Sequence, residues 1–148
     1  MRYADTSVIV RAYLRDEREH LESRRLVLES ADPVVTSELS RVEFAAAIQR
    51  AVRARRIGDP GEFLRTFDLD CGPGSSLSLL PFERDPTLAE ARRLAIAYGL
   101  KTMDAIQVAA ALHELGRSGA PAGDQPFVFL TRDADQAAAA RAEGLTVA

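Results

Sequence analysis

Three carboxylates of this sequence stand where a predicted strand ends or within a helix that follows one, and a fourth stands at the head of a helix of its own. Asp5 ends the first predicted strand in "YADTS", and Asp133 follows the buried strand "FVFLT". Glu43 lies in the helix after the strand "VVT", and Asp104 stands near the head of the helix "KTMDAIQVAAAL". Ligand sites in open α/β sheets lie outside the carboxyl ends of the strands. We therefore expect these four acids to gather at one edge of a sheet.

Two of these acids stand beside apolar helix faces. Asp104 lies in a run of Ala, Ile, Val and Leu with Lys101 as its charged neighbour, and an ionised carboxylate beside a core is costly unless something pairs with it. Small or apolar residues stand three and four positions from Glu43, which places it near a packed face. Glu38 has Arg41 in reach and a first-turn position where it complements the helix dipole. We therefore select Glu43 over Glu38.

The chemistry expected of this set is the binding of a hard divalent cation. Converging carboxylates repel one another and raise their pKa values unless a cation lies among them. Two histidines and one cysteine cannot build a structural zinc site, so the ligands would be oxygens, which suit Mg²⁺ or Mn²⁺. Two such ions can activate a water and stabilise the leaving oxygen of a phosphodiester. As alternatives, Asp5, Asp104 and Asp133 could cap their helices, and Asp104 could pair with an arginine.

Strands and helices alternate along the chain, which predicts an α/β fold with a mainly parallel sheet and helices on both faces. Ser37 is placed to cap the long helix "SELSRVEFAAAIQRAVRARR". A second helix is predicted over about 17–30, and a loop over 116–126. A later helix ends at Gly99 and has five apolar residues at helical spacing. These residues are Leu88, Ala91, Leu94, Ala95 and Tyr98.

Length and composition predict an ordinary globular protein with one domain over 1–148. The net charge of −3 argues against a simple nucleic-acid-binding module, although nearly all of the positive charge is arginine. No apolar run is long enough to span a membrane, and the first residues lack the layout of a signal peptide. We therefore expect a cytoplasmic protein without a membrane partner.

Four ordered segments resemble the PIN domain, and within that family they are most similar to the VapC toxins of bacterial toxin–antitoxin pairs. They are "DTS" after the first strand, "SRVE" in a long helix, "KTMDAIQVAAAL", and "FLTRDAD". The resemblance covers nearly the whole chain. It implies a three-layer α/β/α, Rossmann-like sandwich and an Mg²⁺- or Mn²⁺-dependent ribonuclease that hydrolyses RNA with a metal-bound water.

The resemblance also implies roles for individual residues. Asp5 and Asp104 would be the principal metal ligands, and Glu43 and Asp133 would complete an acidic quartet, partly through water. Four hydroxyls would support this quartet, with Thr6 or Ser7 orienting Asp5 or touching the scissile phosphate. These hydroxyl residues are Thr6, Ser7, Thr102 and Thr131.

This sequence departs from the family pattern at two places. Gln107 stands where many relatives carry histidine. Asp135 lies close to Asp133, so the fourth acid is ambiguous, and we prefer Asp133 because "T-x-D" directly after the strand fits the family. The loop over 116–126 is also long for a VapC toxin.

The implied partners are RNA, a second copy of the chain and a VapB-like antitoxin that forms a hetero-oligomer with the toxin. An antitoxin segment would lie across the groove and could point an arginine at the acids. An arginine-rich run could grip RNA phosphates beside the site, or could be a solvated helix face that complements the helix dipole. It contains Arg50, Arg53, Arg55 and Arg56.

Two other functions are compatible with an acidic site of this kind. A haloacid-dehalogenase-like phosphatase also has an aspartate after its first strand, but its pattern has a second aspartate two residues later, where this chain has Ser7. A PIN-like fold that has lost catalysis could serve as a binding scaffold, although all four acids are present here.

Overall fold

A computed structural model describes residues 1–118 and 127–148. Within these residues five strands and seven helices alternate along the chain. In chain order they are β1 (Arg2–Ala4), α1 (Thr6–Tyr13), α2 (His20–Val27), β2 (Val34–Ser37), α3 (Ser40–Arg53), α4 (Pro60–Asp70), β3 (Leu77–Leu80), α5 (Arg84–Tyr98), α6 (Thr102–Ser118), β4 (Val128–Leu130), α7 (Ala134–Ala142) and β5 (Thr146–Val147). The predicted alternation of strands and helices is confirmed.

The strands form one sheet in the order β3-β2-β1-β4-β5, and every pairing between described strands is parallel. The chain builds outward from β1 to β3 and then returns to the other side of β1 with β4. The central strand β1 therefore lies at the switch point of the sheet, where crevices for ligands form beyond the strand ends. Asp5 directly follows this strand, and its N–H donates to the Leu130 carbonyl at 2.9 Å.

Alternate residues of the central strands pack on opposite faces of the sheet, as the two-residue period of a strand requires. Tyr3 and Phe129 face a core built with α5, α6 and α7. Ala4 and Leu130 face a second core built with the helices α1 to α4. The predicted three-layer α/β/α arrangement is therefore confirmed.

An aromatic cluster holds α3 and α4 against α1. Phe44 and Phe67 stack with their ring centroids 4.4 Å apart, and Tyr13 packs edge-on against both rings. Phe44 is fully buried and directly follows Glu43, so the packing of this ring fixes the part of α3 that carries the carboxylate.

Three local predictions were wrong in detail. The second helix covers only His20–Val27 because Glu19 has a left-handed backbone, with φ of 62°, which a helix cannot continue. Ser37 does not cap α3: it is the last residue of β2, its hydroxyl accepts from the Leu39 N–H, and the helix begins at Ser40. The first three residues of the loop predicted over 116–126 belong instead to α6, which continues to Ser118, and the others lie outside the described part.

The fifth helix faces the core with fewer residues than predicted. Ala91 and Leu94 are buried, whereas Leu88 and Tyr98 are 44% and 39% exposed. Gly99 ends this helix as predicted, with a φ of 68°. None of the helices over 1–118 and 127–148 is long and apolar enough to cross a membrane.

Candidate active site

A cleft of about 320 Å³ opens beyond the carboxyl ends of the central strands, and carboxylates from four elements line it. These carboxylates belong to Asp5, Glu43, Asp104 and Asp133. The rest of the wall combines small or apolar residues with two arginines and one further acid. These residues are Thr6, Ser7, Val10, Arg11, Glu17, Ala47 and Arg50.

Asp5 is buried at the end of β1, and both of its carboxylate oxygens accept hydrogen bonds from the protein. Its side chain caps α1 by accepting from the Ser7 N–H at 2.8 Å. The other oxygen accepts from the Gln136 amide at 3.1 Å. Burial raises the pKa of Asp5 above its ordinary value, while the hydrogen bonds from Ser7 and Gln136 act to lower it.

Glu43 reaches the cleft from the first turn of α3. Its Oε2 accepts from the Thr6 hydroxyl at 2.8 Å and, in a short hydrogen bond, from the side-chain amide of Gln107. Burial raises the pKa of Glu43, the two hydrogen bonds oppose that shift, and the charges of Asp5 and Asp104 add to it. The protein therefore holds this carboxylate in place with donors while its surroundings disfavour the charge.

Asp104 differs from the other acids because no described side chain donates a hydrogen bond to its carboxylate. It lies half-buried in the first turn of α6. Burial raises the pKa of Asp104, and the charges of Asp133 and Asp5 raise it further, while Lys101 acts in the opposite direction. Asp104 is thus half-buried, receives no hydrogen bond from a described side chain and has other acids around it. The described residues therefore do not compensate its charge.

Asp133 caps α7 as well as lining the cleft. Its Oδ1 accepts from the backbone N–H groups of Asp135 and Gln136, at 3.0 and 2.9 Å. Its other oxygen is left for the cleft. Asp135, two residues later, is exposed and does not line the cleft, whereas Asp133 does.

These acids share a cleft, but they do not form a compact ligand cluster. Over residues 1–118 and 127–148, no three His, Cys, Asp or Glu side chains lie close enough together to hold a metal ion. Internal donors hold Asp5, Glu43 and Asp133. The donor set nevertheless fits a hard divalent ion, because it offers only carboxylate oxygens and three of their pKa values are raised.

The sequence matches the PIN domain over residues 2–142. The chain belongs to the PIN domain family. PIN domains are typically metal-dependent nucleases and generally use divalent metals. The family predicted from the four sequence segments is therefore confirmed.

The PIN fold is also found in a solved structure that resembles this one. The chain is similar to a chain in the crystal structure of FitAcB from Neisseria gonorrhoeae, with a TM-score of 0.60 and 18% sequence identity. The match covers 99% of this chain and 96% of the other. At this identity the likeness shows the fold alone. Among curated protein sequences, none matches this chain.

The hydroxyl residues predicted around the PIN acids have different surroundings. Thr6 donates to Glu43, and the Ser7 hydroxyl accepts from the Arg132 N–H at 2.9 Å, which ties α1 to the turn before α7. Thr131 is buried, and its hydroxyl accepts from the Asp133 N–H at 3.1 Å. Thr102 is the exposed first residue of α6 and makes no side-chain hydrogen bond to another described residue.

The four arginines predicted to contact RNA are not equivalent. Arg50 lines the acidic cleft, about two turns of α3 beyond Glu43. Arg53 and Arg55 are exposed and make no ion pair within the described residues. Arg56 is bound on two sides, by Asp16 with contacts of 2.6 and 2.9 Å and by Glu17 at 2.6 Å. Arg50 is therefore the member of this run best placed to meet a ligand in the cleft.

Sequence reasoning missed two glutamines that contact the acids. Gln136 donates to Asp5, and Gln107, noted only as a departure from the family, donates to Glu43. Both are fully buried. A polar amide within a helix that is otherwise apolar was the available signal, because a buried amide needs partners.

Proposed function

We propose that this PIN domain is an Mg²⁺- or Mn²⁺-dependent endoribonuclease and acts as the toxin of a VapBC-type toxin–antitoxin pair. The observation that carries the proposal is the single cleft lined by Asp5, Glu43, Asp104 and Asp133. A site of carboxylate oxygens beyond the central strands suits metal-assisted hydrolysis of a phosphodiester.

Within this proposal, Asp5 and Asp104 are the principal ligands, and Glu43 and Asp133 complete the set, partly through water. When bound, the ion supplies Lewis acidity and a more acidic water at the cleft. The protein itself holds the carboxylates in the positions from which they would bind the ion. Ser7 and Thr6 hold two of them, with the Ser7 N–H on Asp5 and the Thr6 hydroxyl on Glu43.

Two arginines of the cleft wall would allow this chain to bind RNA, a polyanion, although its net charge is −3. Arg11 lies on α1 and Arg50 on α3, both beside the acids. There they would meet the phosphates that flank the scissile bond. Arg11 also pairs with Glu19 at 2.9 Å, so Arg50 is the freer of the two.

The proposed partners follow from the toxin role. A VapB-like antitoxin would cover the acidic cleft with an extended or helical segment. An arginine from that segment would pair with the acids that otherwise bind the metal. We also propose a homodimer, and residues 1–148 acting as one domain.

The experiment that tests this function is cleavage of total cellular RNA by the purified chain with Mg²⁺, with Mn²⁺ and with EDTA. Asp104→Asn removes a proposed ligand and keeps the shape of the side chain, so we expect it to lose cleavage. Asp85→Asn is the matched control, because Asp85 also lies in the first turn of a helix and is far more exposed. We expect this control to cleave like the wild type.

Three results would contradict the proposal in different ways. Cleavage by Asp104→Asn at the wild-type rate would remove Asp104 from the site. Hydrolysis of p-nitrophenyl phosphate without cleavage of RNA would favour a phosphatase. No metal-dependent cleavage, together with normal growth of cells that express the chain, would favour a scaffold.

A further inference from the structure

Gln107 and Gln136 are the largest fully buried polar side chains among the described residues, and each donates to a different acid of the cleft. Gln107 comes from the middle of α6 and Gln136 from the first turn of α7. Neither lines the cleft itself. They therefore bind the carboxylates from the protein interior, on the side away from the cleft.

The Gln107 amide is held in one orientation by its partners. Its Oε1 accepts from the Tyr3 hydroxyl at 2.7 Å. Its Nε2 faces Glu43, with the Ser40 hydroxyl 3.1 Å away. An ionised carboxylate only accepts hydrogen bonds, so a reversed amide would bring two acceptor oxygens together. The carboxylate of Glu43 thus selects the orientation in which Gln107 presents its N–H groups, and the Tyr3 hydroxyl donates to the oxygen of that orientation.

Gln136 repeats this arrangement at the other side of the cleft. The Thr131 hydroxyl donates to its Oε1 in a short hydrogen bond, and its Nε2 donates to Asp5 at 3.1 Å. The same nitrogen lies 3.3 Å from the backbone carbonyl of Asp104. One amide therefore joins the end of β1, the head of α6 and the end of β4.

Both glutamines thus belong to chains of the same form, in which a hydroxyl orients a buried amide and the amide orients a carboxylate. We propose that Gln107 and Gln136 are positioning residues that hold Glu43 and Asp5 ready for the divalent ion. This inference rests on the proposed metal-dependent function and names the residues that set its ligand geometry.

The positioning has a physical reason. Internal donors bind one oxygen of Glu43 and both oxygens of Asp5, which limits rotation of these side chains before the ion arrives. The amide also carries no charge, so it stabilises the anion without competing as a cation for the site. Mutation of a residue that hydrogen-bonds to a metal ligand typically lowers metal affinity or activity by roughly 10- to 100-fold.

The test measures Mn²⁺ binding to the metal-free chain by electron paramagnetic resonance, and RNA cleavage in parallel. Gln107→Met and Gln136→Met keep the length of the side chain and remove the donor. We expect each to weaken Mn²⁺ binding roughly 10-fold or more and to lower kcat, with the KM for RNA unchanged. The line shape of bound Mn²⁺ should broaden as the ligands lose their fixed positions, a change that a merely less stable fold would not cause.

Milder variants keep the test usable where a methionine disturbs folding. Tyr3→Phe and Thr131→Val leave the glutamines in place and remove the hydroxyls that orient them, so we expect a smaller loss of Mn²⁺ affinity. Tyr13→Phe is the matched control, because the Tyr13 hydroxyl donates to Asp70 at 2.7 Å in the other core. This control should bind Mn²⁺ like the wild type.

The outcomes separate the positioning role from the function on which it rests. A wild type that binds Mn²⁺ and cleaves RNA, beside folded glutamine variants that do both equally well, would overturn the positioning role alone. A wild type that neither binds Mn²⁺ nor cleaves RNA would overturn the proposed function, and the positioning role with it.

Discussion

Asp104 is the acid of the cleft with the least support from the protein. The other three carboxylates each accept hydrogen bonds from main-chain or side-chain donors, whereas no described side chain donates to Asp104. Its pKa is raised by burial and by the charges of Asp133 and Asp5. Without a cation, its charge therefore destabilises the folded state relative to the unfolded chain.

Removal of this charge should stabilise the metal-free protein. We expect Asp104→Asn to raise the free energy of unfolding at pH 7 by on the order of 1 kcal/mol, the size of one charge interaction near a protein surface. For a chain of this length that corresponds to roughly 2–4 °C in Tm. Thermal unfolding in EDTA measures the effect.

The matched control for this stability prediction is Asp85→Asn, which also removes a first-turn acid from a helix but lies outside the cleft. Its Tm should stay the same or fall slightly, because it loses a favourable interaction with the helix dipole. If the Tm of Asp104→Asn falls as much as that of this control, the charge of Asp104 does not destabilise the folded, metal-free protein.

At the residue scale, the sequence could place Asp5 and Asp133 at strand ends and Glu43 and Asp104 in helices, but it could not show what holds each acid. Asp5 and Asp133 proved to be helix caps and cleft residues at the same time, so the two alternatives considered for them are not exclusive. The donors Gln107 and Gln136 stand 64 and 131 positions from the acids they contact. No local pattern encodes contacts of that separation.

At the scale of elements, the connection between α5 and α6 sets where Asp104 stands. The fifth helix ends at Gly99, whose φ of 68° reverses the chain direction, and the sixth begins three residues later. A residue with a side chain adopts this left-handed backbone only at a cost, whereas glycine does so freely.

Substitution of this glycine should therefore destabilise the protein through the backbone. We expect Gly99→Ala to lower the free energy of unfolding by about 1 kcal/mol, since the added Cβ meets no atom within 4 Å and only the φ is strained. Gly58→Ala is the control, because its Cβ would also meet nothing and its φ is not positive. Urea unfolding of both variants distinguishes strain from loss of packing, and equal effects at both positions would contradict the prediction.

The elements themselves were largely predictable, because apolar spacing and turn residues mark them in the sequence. Asp59, for example, caps α4 with Pro60 in its first turn, and both are residue types typical of a helix start. The errors lie at ends that tertiary structure decides. Ser37 remains in β2 because it pairs with Leu80 across the sheet, and this pairing overrides its preference for a helix cap.

At the scale of the whole molecule, the raised pKa values of Asp5, Glu43 and Asp104 link stability to pH. The folded protein binds protons at these groups more tightly than the unfolded chain does. Their favourable contribution is therefore present below the ordinary carboxyl pKa of about 4 and is lost as the pH rises through the raised values. A divalent ion acts in the opposite direction, because it binds the ionised carboxylates.

We therefore expect the stabilisation by Mn²⁺ to grow between pH 5 and pH 8. At a concentration of 100 times Kd the ion should add about 2.7 kcal/mol to the free energy of unfolding at the higher pH. The difference in Tm with and without Mn²⁺ measures this effect, and Asp104→Asn should lose most of it. An equal Mn²⁺ effect at both pH values would show that the ion binds elsewhere.

The order of the sheet has a consequence for how the protein is made. The central strand β1 is synthesised well before one of its two neighbours, β4, which lies more than a hundred residues later in the chain. The cleft acids at positions 5 and 133 come together only when this late strand is in place. A nascent chain that has emerged only as far as α6 holds three of the four acids and lacks the strand that pairs with β1 on its other side. A growing chain would thus complete the four-acid cleft only after β4 and Asp133 have been synthesised.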